Sequence, residues 1–408
     1  MNQTFPHRVA IVHDWLDKPG GAERVLHELI VCFPDADLFA VVDMLSDDDR
    51  SIVCDKVVTT TFIQKLPRAR KHFRSYLPLM PLAIEQIDMS DYDLVISSSW
   101  AVAKGVITGP DQLHVAYVHT PMRYAWDQQH DYLKLEQLDR GLKGAVVRLA
   151  LHWLRMWDIR TANNVDVWLA NSSNVARRIR KTYGKHAEVL HPPVRIEDFT
   201  FTTDKAGYYF TCSRIVQYKR IDLLVDAFLN RPESELVIAG DGPELSGLKE
   251  RARHASNIRF LGRKTDGEIR ELMRNARAFI FAANEDFGIA PLEAQACGTP
   301  VIAFGRGGAL ETVRGLGAER PTGCFFDQQT PASILEAIEQ FENLAVPIGP
   351  EDCRENATRF RSELFRERLH NIVSKHWIGF GATARSYTEP SALRRNPDAL
   401  VPSLLQER

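Results

Sequence analysis

The sequence predicts an α/β protein of two Rossmann-like domains, each a parallel sheet flanked by helices, facing one another across a cleft. Short β-branched and apolar runs alternate with helix-periodic segments, which is the order of parallel sheets rather than of hairpins. The runs fall into two series. The first comprises Val9–His13, Leu38–Val42, Asp93–Ser97, Leu113–His119, Val165–Ala170 and Ala187–Leu190. The second comprises Tyr208–Cys212, Leu236–Ala239, Ile258–Leu261, Ala278–Phe281, Val301–Phe304 and Cys324–Phe326. Between them stands His191-Pro192-Pro193-Val194, where adjacent prolines can continue neither a helix nor a central strand.

The pattern divides the chain into a first domain over residues 1–195 and a second over 196–378, with a loose tail over 379–408 that is rich in Gly, Ser, Pro and Arg. The last helix of the second domain is expected to return to the first. Helical periodicity is clearest at Glu23–Cys32, Val175–Tyr183, Asp222–Leu229, Glu268–Asn275 and Pro331–Asn343.

Charge excludes one class of partner. The 408 residues carry 51 Lys and Arg against 53 Asp and Glu, a formal net charge of −2. Neither half has the basic excess of a dedicated nucleic-acid binder. The six cysteines, Cys32, Cys54, Cys212, Cys297, Cys324 and Cys353, have neither zinc nor redox-pair spacing and read as buried free thiols. The apolar run Val9–Val12 is too short for a signal peptide, and no run reaches a membrane span. The expectation is a cytoplasmic protein.

Two doubly wound domains bind ligands at the carboxyl ends of their strands, so the residues following each strand are the candidates. After the first strand, His13-Asp14-Trp15 leads to Gly20-Gly21 at a helix start, where the backbone can approach an anion or a sugar closely. The Gly-x-Gly-x-x-Gly fingerprint of dinucleotide binding is absent. After Ala278–Phe281 comes Asn284-Glu285-Asp286-Phe287-Gly288-Ile289-Ala290-Pro291-Leu292-Glu293. Pro291 suits the first position of a helix, so Phe287, Gly288 and Ile289 are expected to present amides at its positive end. Glu285 on the loop and Glu293 in the first turn can each accept from hydroxyls. Arg214 and Lys219, at a strand end and a helix start, would neutralise a diphosphate.

Glu285-x7-Glu293 resembles the signature of the retaining family-four glycosyltransferases, the glycosyl transferases group 1, whose fold is the GT-B architecture. Supporting matches are Ser213-Arg214-Ile215 with Lys219-Arg220-Ile221-Asp222, Gly240-Asp241-Gly242-Pro243-Glu244, Phe260-Leu261-Gly262-Arg263, Gly298-Thr299-Pro300 and Gly307-Gly308-Ala309-Leu310-Glu311-Thr312. The resemblance covers roughly residues 8–376 and implies that Arg214 and Lys219 bind the donor diphosphate, with Gly262 and Arg263 near the base. His119, in Tyr117-Val118-His119-Thr120-Pro121-Met122-Arg123-Tyr124-Ala125-Trp126, would contact a hydroxyl of the transferred sugar.

That run resembles O-antigen and exopolysaccharide mannosyltransferases. It implies a GDP-mannose donor and a lipid-linked oligosaccharide acceptor, with Arg123, Tyr124 and Trp126 as a sugar-facing wall. Where many relatives carry an Asn-Gly pair, this chain has His191-Pro192-Pro193-Val194.

No metal or other cofactor is expected. Asp47-Asp48-Asp49 and Asp91-Tyr92-Asp93 contain Asp-x-Asp but read as solvated loops. A peripheral membrane surface is an expected partner, through the basic stretch Lys65–Arg74 ahead of Tyr76–Leu82 and through an apolar helix over Leu142–Trp157 bearing Lys143, Arg148 and Arg155. A UDP-sugar donor, a sugar-nucleotide 2-epimerase and a non-catalytic nucleotide-sugar binder remain as alternatives.

Overall fold

The computed structural model describes residues 6–386. The first sheet contains β1 (Val9–His13), β2 (Asp37–Ala40), β3 (Val58–Thr60), β4 (Leu94–Ser99), β5 (Leu113–Val118), β6 (Val167–Ala170) and β7 (Glu188–Val189). All its pairings are parallel, in the order β3-β2-β1-β4-β5-β6-β7. The second sheet contains β8 (Tyr209–Cys212), β9 (Leu236–Ala239), β10 (Ile258–Gly262), β11 (Ala278–Phe281), β12 (Val301–Phe304) and β13 (Gly323–Phe326), in the order β10-β9-β8-β11-β12-β13. Each is a doubly wound sheet whose order reverses between two central strands. The reversal lies between β1 and β4 in one domain and between β8 and β11 in the other, which leaves a crevice at the strands' carboxyl ends.

The central strands β4, β5, β6, β9, β11 and β12 are buried at every residue, which explains their unbroken apolar runs. β3 was not anticipated: three half-exposed residues at a sheet edge leave no alternation to read. Cys297, Cys324 and Cys353 are buried, but Cys54 is exposed, in a left-handed turn that ends a 3-10 helix, so the expectation of six buried thiols fails there.

The helix Ser362–Ser386 begins beside the second domain and completes the core of the first. Phe365, Leu369, Ile372 and Val373 pack with Ile11, Leu26, Leu29, Val115 and Tyr117. Ser362 Oγ donates to Glu28 at 2.9 Å, and Arg366 pairs with the other oxygen of Glu28 at 2.9 Å. This helix runs through Gly379 to Ser386, so the segment expected to be loose from 379 starts with ordered helix. Residues 387–408 lie outside the described residues.

Leu369 is fully buried. Leu369→Ala is therefore expected to destabilise the protein by about 2–5 kcal/mol, read by chemical denaturation. A loss under about 0.5 kcal/mol would show that the returning helix contributes little to that core.

Candidate active site

On the first-domain side the chain leaving β1 is anchored by Asp14. Its buried carboxylate accepts from the amides of Trp100 at 2.5 Å, Ala101 at 2.8 Å, Val102 at 2.6 Å and Ala103 at 2.6 Å. Burial pushes this carboxyl up and the amides oppose that shift. The contact pins the turn after β4 to the end of β1 and so positions Ser98 and Trp100. Ser98 Oγ lies 3.0 Å from His13 Nδ1 and 2.8 Å from His119 Nε2. Trp100 sits edge-on to both rings, with centroids at 4.9 and 5.7 Å. Asn171 Nδ2 holds the His119 carbonyl at 2.8 Å. Burial above all pushes the His119 ring down to about 3.

Gly20 is the extended cap of the helix Gly21–Cys32, whose start receives no side-chain cap. Gly21 lies against the second domain, where a Cβ would stand 3.0 Å from Ile289 Cδ1.

On the second-domain side, Ser213 and Arg214 leave β8. Arg214 is exposed, and its side chain makes no hydrogen bond or ion pair among the described residues. Its loop rests directly on Gly240 and Gly242, where Cβ atoms would fall 1.9 Å from the Ser213 carbonyl and 2.1 Å from that of Ile215. These glycines are required by backbone contact alone. Lys219, in the turn Gln217–Lys219, pairs with Glu285. Burial opposes its charge, but the Glu285 carboxylate prevails and holds the ammonium above its usual value.

The helix Ile289–Ala296 starts at Gly288, whose φ of +86° is open to glycine and strained for other residues. Pro291 is therefore its third residue, not its first, and Glu293 is its fifth, two residues further in than expected. Phe287 contributes backbone only, since its ring is buried and stacked on His191 with centroids 5.5 Å apart. The Gly308 amide donates to the Glu285 carbonyl at 2.9 Å. Gly262, at φ +66°, ends β10, and Arg263 beyond it is exposed.

The two sides meet through first-domain partners that sequence reasoning mostly did not single out, Arg24, Ser173, Asn174 and Arg178 among them. Asp286 takes Asn174 Nδ2 at 2.9 Å, Arg178 Nε at 3.0 Å and Arg123 Nη1 at 3.3 Å. Arg24 pairs with Glu293, whose charge holds the guanidinium above its usual value. Glu311 accepts from the amides of Ser173 at 2.9 Å and Asn174 at 3.3 Å, and lies 3.0 Å from His191 Nε2. The structure thus brings Lys219 to Glu285 and Gly21 to Ile289, while every hydrogen bond of His119 stays in its own domain.

The expected aromatic wall is also revised. Trp126 Nε1 is tied to Asp158 at 2.8 Å, Tyr124 is turned inward with a buried hydroxyl, and Arg123 bridges to Asp286. Of the Asp-x-Asp segments, Asp93 caps the amides of His7 at 2.9 Å and Arg8 at 3.0 Å, and Asp49 accepts from Ser46 at 2.6 Å.

Two parallel sheets with their carboxyl ends toward one cleft, and a glycine-started helix with adjacent cations on one side of it, define a GT-B protein. The chain belongs to glycosyltransferase family 4. Residues 19–198 match Glycosyltransferase Family 4 and residues 196–360 match Glycosyl transferases group 1. Over 183 residues it is 33% identical to a GDP-mannose-dependent monoacylated alpha-(1-6)-phosphatidylinositol monomannoside mannosyltransferase of Corynebacterium glutamicum, covering 38% of this chain and 48% of that protein. A D-inositol 3-phosphate glycosyltransferase of Corynebacterium urealyticum is 26% identical over 61% of this chain and 63% of its own length. The chain thus spans about half to two thirds of these relatives. The fold matches that of Anabaena Alr3699/HepE, solved in complex with UDP, with TM-score 0.65 and 17% identity, over 90% of this chain and 100% of that one.

Acid should weaken the fold in a readable way. His114, bonded to Ser97 Oγ at 2.9 Å and to the Asn164 carbonyl at 3.0 Å, is pushed down to about 4 by burial. The unfolded chain takes up that proton near pH 6.5 and the folded chain only near 4, so stability falls as pH drops between those values. The group accounts for about 2 kcal/mol at pH 5. His114→Gln should shrink the drop in Tm between pH 7 and pH 5. Equal drops in the two proteins would count against this.

Proposed function

We propose that the protein is a retaining glycosyltransferase that moves a hexose, mannose from GDP-mannose, to a lipid-linked oligosaccharide of a bacterial-type surface polysaccharide. One observation carries the reading. Arg214, without a partner, and Lys219 stand beside β8, and the glycine-started helix Ile289–Ala296 follows β11, so fixed positive charge flanks the switch point of the second sheet. This is where a diphosphate leaving group needs neutralising, and in this reading side chains and amides supply the charge without a metal. GDP-mannose is the donor named for the relative from Corynebacterium glutamicum.

At the cleft Glu285 and Glu293 are each covered by a cation, Lys219 and Arg24. Donor entry exchanges these partners. Lys219 moves to the diphosphate and frees Glu285 for the sugar hydroxyls, and Arg24 releases Glu293 to the ribose. Gly20, Gly21, Phe287, Gly288 and Ile289 offer backbone to the phosphates, Gly262 and Arg263 flank the base, and His119 meets the sugar from the opposite domain. The bond from the anomeric carbon to the phosphate oxygen breaks with its electron pair passing to that oxygen. The acceptor hydroxyl oxygen bonds the same carbon from the same face, and its proton passes to the departing phosphate.

Calorimetry against GDP, UDP and ADP sugars is expected to show GDP-mannose binding tightest. Arg214→Ala and Lys219→Ala should each lower turnover by about 10²- to 10³-fold. Arg214 makes no contact that the fold needs, so near-normal turnover in its Ala variant would overturn the site. Consumption of donor without acceptor would point to epimerisation instead.

Membrane attachment is part of the same proposal. No described helix is long and apolar enough to cross a membrane. The helix Gly141–Thr161, however, buries Leu151, Leu154 and Trp157 and exposes Leu142, Val146, Leu149, Trp153 and Met156 in one row. Arg148 and Arg155 are tied back to Asp139 and Gln129, which leaves Lys143 as the free cation of the three. Lys65, Arg68, Arg70, Lys71 and Arg74 are all exposed. Such a face suits an anionic bilayer. Leu149→Glu should abolish co-sedimentation with anionic vesicles while leaving donor binding intact. Sedimentation equal to wild type would remove the helix from this role.

A further inference from the structure

The His13, Ser98 and His119 chain has a direction, and the direction decides what His119 offers to the cleft. Both of its contacts run through one hydroxyl: His13 Nδ1 at 3.0 Å and His119 Nε2 at 2.8 Å from Ser98 Oγ. His13 and Ser98 are wholly buried, so water does not intervene. A serine hydroxyl carries one hydrogen, and a neutral imidazole has one N–H and one bare nitrogen. Ser98 Oγ can also accept twice, but two donating rings would leave its own hydrogen buried without an acceptor, since it has no other partner among the described residues. One neutral ring therefore donates to Ser98 while the other receives from it, and two arrangements remain.

The far end selects between them. His13 Nε2 is buried with no hydrogen-bond partner and lies 3.8 Å from Glu23 Oε1, a side chain itself only 10% exposed. A lone pair on Nε2 facing this carboxylate is repelled, whereas an N–H there is attracted, and screening is weak in so dry a place. His13 therefore carries its proton on Nε2 and leaves Nδ1 bare. Ser98 donates to that Nδ1 and accepts from an Nε2–H of His119. His119 Nδ1 is then the bare nitrogen. It makes no hydrogen bond and is absent from the buried unpaired atoms, so it is the ring nitrogen that solvent reaches. The edges of Trp100 on both rings, with Tyr117 at 5.1 Å from His119, keep either imidazole from flipping.

We propose that Glu23, His13 and Ser98 are positioning residues that hold His119 as a hydrogen-bond acceptor toward the cleft. Under the function proposed above, on which this consequence rests, the transferred sugar must donate a hydroxyl hydrogen to Nδ1. A sugar lacking that hydroxyl would bury the nitrogen unpaired and be refused, although its nucleotide is held unchanged by the second domain. His119 in this state has no proton to give, so it orients the sugar and does not act as an acid. Its neutrality agrees with the low value that burial gives the ring.

The test reads the tautomer directly. In the intact protein labelled with 15N-histidine, two-bond 1H–15N correlation spectra show which ring nitrogen carries the proton, and His119 is assigned by the peaks lost in His119→Gln. The expected result is a protonated Nε2 and a bare Nδ1 in His119, with the same tautomer in His13. Ser98→Ala should turn His119 into a tautomer mixture and lower kcat about tenfold with the donor KM little changed, and Ser98→Thr should restore both. A proton on Nδ1 of wild-type His119 overturns the relay, whatever the kinetics show. The expected tautomer together with full activity in Ser98→Ala upholds the relay and instead overturns the placing of His119 against the sugar.

Discussion

Four acidic side chains of the second domain, Glu285, Asp286, Glu293 and Glu311, each meet nitrogen donors at the cleft, and for three of them the donors come from the first domain or its linker. Carboxylates gathered so closely repel one another unless each is matched. Matching them requires the domains to face each other in one orientation, with the helix starts at Gly21 and Ile289 in contact. Domain orientation, loop positions and donor-site charge are consequences of the same pairing.

The pairing also leaves the charges around the cleft nearly balanced. Lys219 and Arg24 are each matched to a glutamate, and the exposed Arg214 side chain has no such partner among the described residues. In the proposed function the anion is bound by exchange of these partners. The first domain contributes order of another kind. Its histidines sit among aromatic edges and serines, where hydrogen-bond direction matters more than net charge.

Much of this was legible in the sequence because it is local. A strand's apolar run and two glutamates eight positions apart are written in neighbouring residues, so the two-sheet fold and the loops that follow its strands could be placed. What escaped was the choice of partner. Nothing near Asp286 says that Arg178 and Asn174 will meet it, and nothing near Arg24 names Glu293, because those pairs form only when two domains close. Trp126 was misread for the same reason, since its indole was taken up by Asp158 on a distant helix. The serines ending β4 were the available signal for the relay: three hydroxyls in a row at the end of a buried strand demand partners. Pro291 misled because proline at a helix start is a statistical preference, while the positive φ of Gly288 three residues earlier is a steric one.

The returning helix has a further consequence for how the molecule comes into being. The chain crosses between domains at two places that lie side by side, with the Val194 amide donating to the Phe360 carbonyl at 2.7 Å and a parallel bridge joining Val194 to Arg361. The core of the first domain needs Phe365, Leu369 and Val373, which are synthesised after every strand of the second domain. The second domain can close around its own sheet earlier. In this protein the domain made first is the one finished last, and the same late segment that completes it also doubles the hinge.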